Sequence, residues 1–287
     1  MEQIKTEQIT TDYVRSIITD RPADMHKGQA GRLLFIAGSK GMAGAAVLAA
    51  RGALYSGAGL VKVSIPDELF HILQCSVTEA MCIDREEAAK ADLSVYDAIC
   101  MGPGLGTGED AMSLIHRVLT DYSGPLVIDA DGINCLCKYD ALAQVRCRQG
   151  VTVFTPHPGE ADRMLRSLAI GSYKVLGRLR TAASLAEATG AIILLKGHQT
   201  LIQEGTAVYE NPTGNPGMAT GGSGDVLSGI ITSLLGQKHL DAAPIDRVNA
   251  AAFLHGLAGD IAAENIGEYG MTAADIADAV AAAFNAL

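Results

Sequence analysis

The chain has 287 residues, of which 48% are hydrophobic and 19% are charged, a composition that suits one large domain with a deep core and excludes bulk disorder. Its net charge of −10 at pH 7 excludes a basic surface for nucleic acid spread over the whole molecule, so phosphates would have to be bound locally, by backbone N–H groups and a few cations. The sequence contains no run of about 18 uncharged apolar residues, and we expect no contact with a membrane.

Short apolar runs alternate with longer alanine-rich segments along the first two thirds of the chain. The runs are continuously apolar, as is typical of strands that are covered on both faces. The predicted strands are Arg32–Ala37, Leu60–Ile65, Ala98–Met101, Leu126–Asp129, Val151–Thr155 and Ile192–Lys196. The predicted helices are Ala45–Tyr55, Glu109–Tyr122, Gly159–Leu168 and Val175–Thr189. This order predicts an α/β fold, with a mostly parallel central sheet and helices on both faces.

The last third of the chain has a different order of elements. Two short runs, Thr200–Gln203 and Ala207–Glu210, flank a turn and are typical of a β-hairpin. A glycine-rich loop follows, and the chain ends with the predicted helices Asp225–Leu235, Ile245–Glu264 and Ala273–Phe284. Because no change in composition marks a second domain, we expect residues 1–287 to form a single domain.

The six cysteines lie at positions 75, 82, 100, 135, 137 and 147. None forms a C-x-x-C pair, and Cys135 and Cys137 are too close in sequence for a usual zinc knuckle. We therefore expect reduced cysteines in a cytoplasmic protein. The N-terminal segment MEQIKTEQITTDYVRSIITDRP has acidic residues and no apolar centre, so it does not have the pattern of a signal peptide.

The segment with the clearest chemical pattern is NPTGNPGMATGGSGDVLSG, residues 211–229. Its glycines let the backbone turn sharply and approach a ligand closely. A helical pattern begins directly afterwards, which brings unpaired N–H groups and the positive end of a helix dipole to one point and predicts an anion hole. Asp225 at this point has two interpretations. It is either a helix cap or a general base that takes a hydroxyl proton as the oxygen attacks phosphorus.

GGSGD resembles the anion-hole and catalytic-base motif of the ribokinase-like small-molecule kinases. The longer segment resembles the signature of one branch, the NAD(P)H-hydrate dehydratases, and the resemblance extends from about Gly28 to the C-terminus. It implies a ribokinase-like three-layer fold, with residues 1–27 as an N-terminal extension. It also implies that Asp225 is the catalytic base and contacts the substrate, and that Gly222, Ser223 and Gly224 bind the nucleotide. Members usually carry Thr at the position of Ser223, which keeps the hydroxyl.

Two glycine-rich loops after predicted strands resemble the substrate side of the same family. Residues 38–46 follow the first strand and open a helix, and the resemblance makes Ala45 a substrate contact. Residues 101–106 follow a later strand, and Gly104 and Gly106 would let the backbone approach the substrate closely. Without the resemblance, such a loop is more often simple turn chemistry.

The turn 155–160 follows another predicted strand and is stiffened by two prolines. A lone histidine is usually structural, but the family places its dinucleotide substrate beside the histidine of this turn, here His157. Related kinases have Asn-x-x-Glu in this place, and the glutamate helps to organise magnesium, so the resemblance gives Glu160 a metal role. Asp129 and Asp131 are alternatives, since they either hold water or magnesium or cap the next helix.

Residues 194–200, LLKGHQT, leave a strand and turn back. A lysine at the end of a strand is by itself more often a solvated edge charge. The resemblance implies instead that Lys196, Gly197, His198, Gln199 and Thr200 contact the nucleotide. The lysine would supply a point charge for phosphate, and the glycine would allow close approach of the backbone.

The activity implied by the resemblance is that of an ADP-dependent NAD(P)H-hydrate dehydratase. Phosphorylation of the C6 hydroxyl of (6S)-NADHX or (6S)-NADPHX would let it leave as phosphate, which gives NADH or NADPH. ADP would be converted to AMP and phosphate, ATP is the other candidate donor, and Mg²⁺ is expected. The implied partners are further copies of the chain in a homo-oligomer such as a tetramer, and a separate NAD(P)H-hydrate epimerase, because 287 residues leave no room for an epimerase domain.

Two other functions share parts of this pattern. A ribokinase-like kinase for a vitamin-type alcohol, hydroxymethylpyrimidine or hydroxyethylthiazole, would share GGSGD and would release a stable phosphorylated product. A non-catalytic nucleotide-binding regulator would share the fold, but the intact Asp225 argues against it, because a sensor needs no base there.

Overall fold

A computed structural model of the protein describes residues 6–287. Within these residues, ten strands form one sheet in the order β1-β10-β9-β8-β7-β6-β5-β2-β3-β4. The strands are β1 (Thr6–Gln8), β2 (Arg32–Ile36), β3 (Leu60–Ser64), β4 (Met81–Ile83), β5 (Ala98–Met101), β6 (Leu126–Ile128), β7 (Thr152–Phe154), β8 (Ile192–Leu195), β9 (Leu201–Glu204) and β10 (Ala207–Glu210). Only β9 among them pairs antiparallel with its neighbours, so the prediction of a mostly parallel sheet is confirmed.

Helices cover both faces of the sheet and complete three layers. The helices are α1 (Thr11–Ile17), α2 (Ala43–Tyr55), α3 (Phe70–Ser76), α4 (Arg85–Ala88), α5 (Glu109–Asp121), α6 (Ala130–Lys138), α7 (Pro158–Ser167), α8 (Tyr173–Thr189), α9 (Ser223–Gly236), α10 (Pro244–Ile266) and α11 (Ala273–Asn285). Helices α2, α9, α10 and α11 pack on one face, and α5 to α8 pack on the other.

Strand β2 shows why the predicted strands are continuously apolar. Its side chains point alternately to the two faces of the sheet. Leu33 and Phe35 pack into the core beneath α2 and α9, whereas Leu34 and Ile36 pack into the core beneath α5 and α6. All four side chains are almost fully buried. A strand with helices on both faces therefore has no polar side to display.

Helices α2 and α9 approach each other closely through glycine. A Cβ atom on Gly52 would overlap the carbonyl oxygen of Val226, and one on Gly229 would overlap that of Ala49. Only glycine allows two helix backbones to come this near. This packing fixes the start of α9 relative to α2.

The N-terminal segment is integrated in the sheet and the core. Strand β1 pairs parallel with β10, and Val14 and Ile17 of α1 are buried. The Tyr13 hydroxyl donates a hydrogen bond to Asp246 at 2.5 Å. The described part of residues 1–27 therefore belongs to the folded unit and is not an appended tail. The apolar residues of α1 are spaced so that they lie on one side of the helix, and α1 packs against α10. Residues 1–5 of the proposed extension lie outside the described residues.

Most predicted elements agree with the structure to within two residues, and a few were not predicted. Strands β1 and β4 and helices α1, α3 and α4 were missed because they are short, and α6 was expected only as the helix after Asp129, without bounds. Helix α8 is kinked at Gly177, which has a φ of 71°. None of the helices in residues 6–287 is long and apolar enough to cross a membrane.

Candidate active site

The loops after β2 and β5 meet at the carboxyl edge of the sheet. The chain runs from β2 to β3 and β4 on one side, and from β5 to β6, β7 and β8 on the other, so these loops flank a topological switch point, where open α/β sheets bind ligands. The Gly38 N–H donates to the carbonyl oxygen of Pro103 at 2.7 Å. A Cβ atom on Gly104, which has a φ of 58°, would lie 2.8 Å from the Met42 carbonyl oxygen and 2.9 Å from the Ala45 Cβ. The structure therefore brings Ala45 and Gly104 together.

Asp131 fixes the end of the second loop. Its Oδ2 accepts a hydrogen bond from the Gly106 N–H at 2.8 Å, and its Oδ1 accepts one from Asn134 Nδ2 at 3.3 Å. The sequence left two roles open for Asp131, metal or water binding and helix capping. The structure shows a third role, because Asp131 positions the backbone of Gly106 from the first turn of α6.

The switch point borders open space. A Cβ atom on Gly41, Gly44 or Gly221 would meet no protein atom within 4 Å. Gly44 lies in the first turn of α2, whose N-cap residue Met42 makes no side-chain hydrogen bond to the helix. The Ala45 N–H donates to the Met42 carbonyl oxygen at 3.3 Å, so the N–H groups of Ala43 and Gly44 are the ones available to an anionic group in this space.

Helix α9 begins at the GGSGD motif. Gly222 is its N-cap residue, with a φ of 94° that favours glycine, and no side chain caps the helix. Asp225 is the third residue of the helix, and no hydrogen bond to its carboxylate is present within residues 6–287. The interpretation of Asp225 as a helix cap is therefore wrong. The N–H groups of Ser223 and Asp225 donate to the carbonyl oxygens of Thr220 and Gly222 at 3.4 and 3.0 Å, whereas those of Gly222 and Gly224 have no backbone acceptor within residues 6–287 and are available for a phosphate.

The surroundings of Asp225 suit a general base. Burial raises the pKa of its carboxyl to about 7, the negative charge of Asp129 adds to the rise, and the positive charge of Lys196 opposes it. A carboxylate with a pKa near neutrality is matched to take a proton at physiological pH.

Lys196 forms an ion pair near this base with the buried carboxylate of Asp129, and its own side chain is partly buried. Its Nζ donates to Asp129 Oδ1 at 2.8 Å and is 3.9 Å from Glu160 Oε2, and Asp129 Oδ2 accepts a further hydrogen bond from Ser228 at 2.7 Å. Burial alone would raise the pKa of Asp129, but Lys196 outweighs it and the pKa is lowered. Burial would lower the pKa of Lys196, but Asp129 and Glu160 outweigh it and the pKa is raised. Lys196 is thus not a solvated edge charge.

His157 and Glu160 form a reciprocal capping box at the start of α7. His157 Nδ1 accepts a hydrogen bond from the Gly159 N–H at 3.0 Å, and Glu160 Oε2 accepts one from the His157 N–H at 2.9 Å. The Glu160 side chain is buried, whereas half of the His157 side chain is exposed. The imidazole is therefore held in one orientation while it remains open to a ligand.

A cleft of about 600 Å³ opens beside the start of α9. Its walls are mostly apolar, which suits a nucleobase, and a smaller part of the lining is polar. Among the predicted site residues, those in the lining are His157, Lys196, Gly197, His198, Gln199, Thr200, Ser223 and Gly224. The residues predicted for the nucleotide thus gather in one cleft, apart from Gly222.

The remaining predicted residues lie outside the lining of this cleft. They are Ala45, Gly104, Gly106, Glu160, Gly222 and Asp225. The start of α9 connects the cleft with the switch point, because a Cβ atom on Gly222 would touch Leu48 of α2, and one on Gly224 would lie 3.2 Å from Lys196 Nζ. His157, predicted on the substrate side, lines the same cleft as the nucleotide residues.

The turn 196–200 is held by α8. Arg178 donates to the carbonyl oxygens of His198 and Gln199 at 2.5 and 2.8 Å. Gln199 has a φ of 53°, which is uncommon for a residue with a side chain. These two bonds stabilise that conformation and fix the rim of the cleft.

Sequence reasoning missed the contribution of α10, whose segment HGLAGD, residues 255–260, packs on the glycine-rich loop. Asp260 accepts hydrogen bonds from the Gly214 N–H and from Asn215 Nδ2, both at 2.9 Å. A Cβ atom on Gly256 would overlap Thr213, so the loop lies directly on the helix backbone. Two glycines three residues apart in an alanine-rich helix are the signal that could have indicated this contact.

The carboxylates near Lys196 have the oxygen atoms that magnesium prefers. However, Lys196 Nζ lies between Asp129 and Glu160, and residues 6–287 contain no group of three or more His, Cys, Asp or Glu placed to hold a metal ion. These residues fit an ion that is carried by nucleotide phosphates and balanced by nearby carboxylates, rather than an ion held by the protein alone.

Residues 33–282 match the model of a protein family described as NAD(P)H-hydrate dehydratase. The chain is 37% identical over 265 residues to the ADP-dependent (S)-NAD(P)H-hydrate dehydratase of Neisseria meningitidis, a match that covers 90% of this chain and 86% of the relative. It is 39% identical over 283 residues to the bifunctional NAD(P)H-hydrate repair enzyme Nnr of Moorella thermoacetica, which covers 94% of this chain and 52% of the relative. The chain thus spans about half the length of such bifunctional relatives.

Solved structures give the same relationship. The ADP/ATP-dependent NAD(P)H-hydrate dehydratase of Bacillus subtilis, co-crystallized with ATP and Mg²⁺, superposes with a TM-score of 0.86 at 30% identity and covers 99% of both chains. A ribokinase-like superfamily protein of Enterococcus faecalis also superposes with a TM-score of 0.86 at 30% identity, covering 100% of this chain and 99% of the other. The predicted ribokinase-like fold is confirmed.

Proposed function

Since the chain belongs to the NAD(P)H-hydrate dehydratase family, we propose that it repairs hydrated nicotinamide cofactors by nucleotide-dependent dehydration of (6S)-NADHX and (6S)-NADPHX. The observation that carries the proposal is the Asp225 carboxylate, which has a pKa raised to about 7 in the first turn of an uncapped helix. A free base beside a phosphate-binding helix N-terminus is what phosphorylation of a substrate hydroxyl needs.

The reaction has two stages. Asp225 takes the proton of the C6 hydroxyl as that oxygen forms a bond to the terminal phosphorus of the nucleotide, and the bond from this phosphorus to the bridging oxygen breaks. With ADP as donor, AMP leaves. The C6–O bond then breaks as the ring nitrogen donates its electron pair, phosphate departs, and loss of a C5 proton restores the ring double bond of NADH or NADPH.

Each part of the site has one task in this scheme. The N–H groups at Gly222 and Gly224 stabilise the transferring phosphoryl group, and Lys196 balances its charge. The turn 196–200 contacts the nucleotide at the rim of the cleft. The location of Ser223, Gly224 and the turn 196–200 around one cleft supports this assignment, and Gly222 adjoins them at the start of α9.

The substrate occupies the switch point in this proposal. Ala45, Gly104 and Gly106 belong to the loops and the helix start that flank the switch point, and the uncapped N-terminus of α2 provides N–H groups for an anionic part of the dinucleotide. His157, with its orientation fixed by the capping box, contacts the hydrate where the switch point and the cleft meet.

Magnesium bound with the nucleotide would neutralise part of the phosphate charge. Glu160 is the residue that would balance the ion, as the resemblance implies. The B. subtilis relative was crystallised with ATP and Mg²⁺ and the N. meningitidis relative is named as ADP-dependent, which supports ADP as the donor here and keeps ATP as the alternative.

The assembly and location of the protein are part of the proposal. The family resemblance implies a homo-oligomer such as a tetramer, which sedimentation would measure. The resemblance and the unpaired cysteines support a cytoplasmic location, which cell fractionation would test. The bifunctional relatives support joint action with an NAD(P)H-hydrate epimerase.

One assay tests the proposed activity. Purified protein is incubated with NADH hydrate, Mg²⁺ and either ADP or ATP, and NADH and the nucleotide products are quantified. We expect NADH and AMP to form in equal amounts with ADP. Accumulation of a stable phosphorylated hydrate without NADH would contradict the proposal.

A further inference from the structure

His255 occupies the wall of the nucleotide cleft from the middle of α10. It is buried, with 8% of its surface exposed, and it lines the cleft. Its Nε2 lies 3.4 Å from the Oγ of Ser223, the first residue of α9. The imidazole therefore contacts the hydroxyl that stands at the proposed phosphate site.

The imidazole is uncharged at neutral pH. Burial lowers the pKa of His255 to about 4 and outweighs a hydrogen bond to the backbone of Ser223, which would raise the pKa, while the charge of Lys196 lowers it further. A neutral imidazole has one donor nitrogen and one acceptor nitrogen. It can hold a hydroxyl in one rotamer without adding a positive charge to the cleft.

We propose that His255 is a positioning residue that holds the Ser223 hydroxyl toward the phosphate of the nucleotide. Serine has no β-branch, so its side chain rotates more freely than that of threonine. Fixing the hydroxyl before the nucleotide arrives lowers the entropy lost on binding. His255 thus acts on the nucleotide through Ser223, and it belongs to the binding site although it lies outside the GGSGD motif.

The inference rests on the proposed function and is tested by ADP binding, which needs no turnover. Calorimetry is run on the wild type, His255→Ala, Ser223→Ala and the double variant. One neutral hydrogen bond corresponds to about three- to tenfold in affinity, and we expect each single variant to bind ADP about that much more weakly. Because the two side chains act as one unit, the double variant should bind ADP no more weakly than whichever single variant has the lower affinity for ADP.

Two further variants separate positioning from general structural damage. The amide of His255→Gln reaches the position of Nε2 and should restore most of the affinity. Ser223→Thr, which restricts the rotamer, should restore part of it in the His255→Ala background. In turnover assays, His255→Ala should raise the KM for ADP and change kcat little. His116→Ala, at an exposed site on α5, is the control and should bind ADP as the wild type does.

The outcomes are distinguishable. Wild-type affinity in a folded His255→Ala variant, or additive losses in the double variant, would overturn the inference and leave the proposed function intact. Absence of ADP and ATP binding by the wild type would overturn both. Thermal unfolding checks that each variant is folded, and His255→Leu, which fills the buried space, replaces the alanine variant if that variant does not fold, with the same expected weakening.

Discussion

The carboxylate of Asp225 lies where burial and the charge of Asp129 disfavour its ionised form. Burial is the largest cause of its raised pKa, and Asp129 contributes to the rise. Lys196 compensates only in part, because its Nζ is bonded to Asp129. A carboxylate in such a position lowers the free energy of unfolding, and a role in function explains why it is there.

The pH dependence of the rate should report this residue. The base must be ionised to accept the hydroxyl proton, so kcat/KM, which reports the free enzyme, should fall about tenfold per pH unit below a pKa of about 7 and level off above it. The measurement is kcat/KM, with ADP and hydrate below saturation, between about pH 5 and 9. A kcat/KM that stays constant between about pH 5 and 7 would show that the base is an ordinary carboxylate.

Asp225→Asn should be more stable than the wild type at neutral and alkaline pH. The folded pKa of about 7 lies above the unfolded value of 3.8, so ionisation destabilises the folded state. The penalty begins as the pH rises above the unfolded pKa and is complete above the folded pKa. Melting temperatures should therefore diverge between about pH 4 and 7, in favour of the variant. A difference in melting temperature between the variant and the wild type that does not change across this pH range would contradict the burial of an unpaired charge.

At the scale of elements, three helices build the site from different parts of the chain. Helices α2 and α9 supply uncapped N-termini, and α10 holds the loop 211–218 through Asp260. Glycine motifs predicted the first two contributions because turn chemistry is local. The third depends on contacts between segments about 45 residues apart, and apolar periodicity alone does not reveal it.

Gly44→Ala tests the open space at the start of α2. The new methyl group would meet no protein atom within 4 Å, and alanine is the better helix former by about 1 kcal/mol. The melting temperature should stay unchanged or rise, whereas the KM for NADPH hydrate should increase at least about fivefold as the methyl group enters the substrate space. ADP affinity is the internal control. An unchanged KM for the hydrate would remove the α2 N-terminus from the substrate site.

Asp260→Asn tests the anchor of the glycine-rich loop. The amide keeps one acceptor oxygen and loses the other, so one of the two bonds to Gly214 and Asn215 is broken. We expect the KM for ADP to rise about three- to tenfold, with kcat at saturation nearly unchanged. Glu264→Gln, one turn further along α10 and exposed, is the matched control. Equal effects of the two variants would indicate a general charge effect instead of an anchor.

At the scale of the molecule, the sequence was sufficient for eight of the ten described strands and for the edge of the sheet that carries the site. Continuous apolar runs predicted the covered strands, and glycine-rich loops after them predicted the carboxyl edge. It was not sufficient for the electrostatics. The pairing of Lys196 with Asp129 joins residues 67 positions apart, and the burial that sets the pKa of Asp225 exists only after α9 has packed. Solvation and long-range pairing are properties of the folded chain, so no local pattern contains them.

The most direct test of the account follows NADH recovery from NADH hydrate by the wild type and by Asp225→Asn, with ADP and Mg²⁺. The wild type should recover NADH with one AMP per NADH, and only when a nucleotide is present. The variant should bind ADP normally and turn over about two to four orders of magnitude more slowly, as expected for loss of a general base. Near wild-type turnover by the variant, or ADP consumption by the wild type without NADH, would contradict the account.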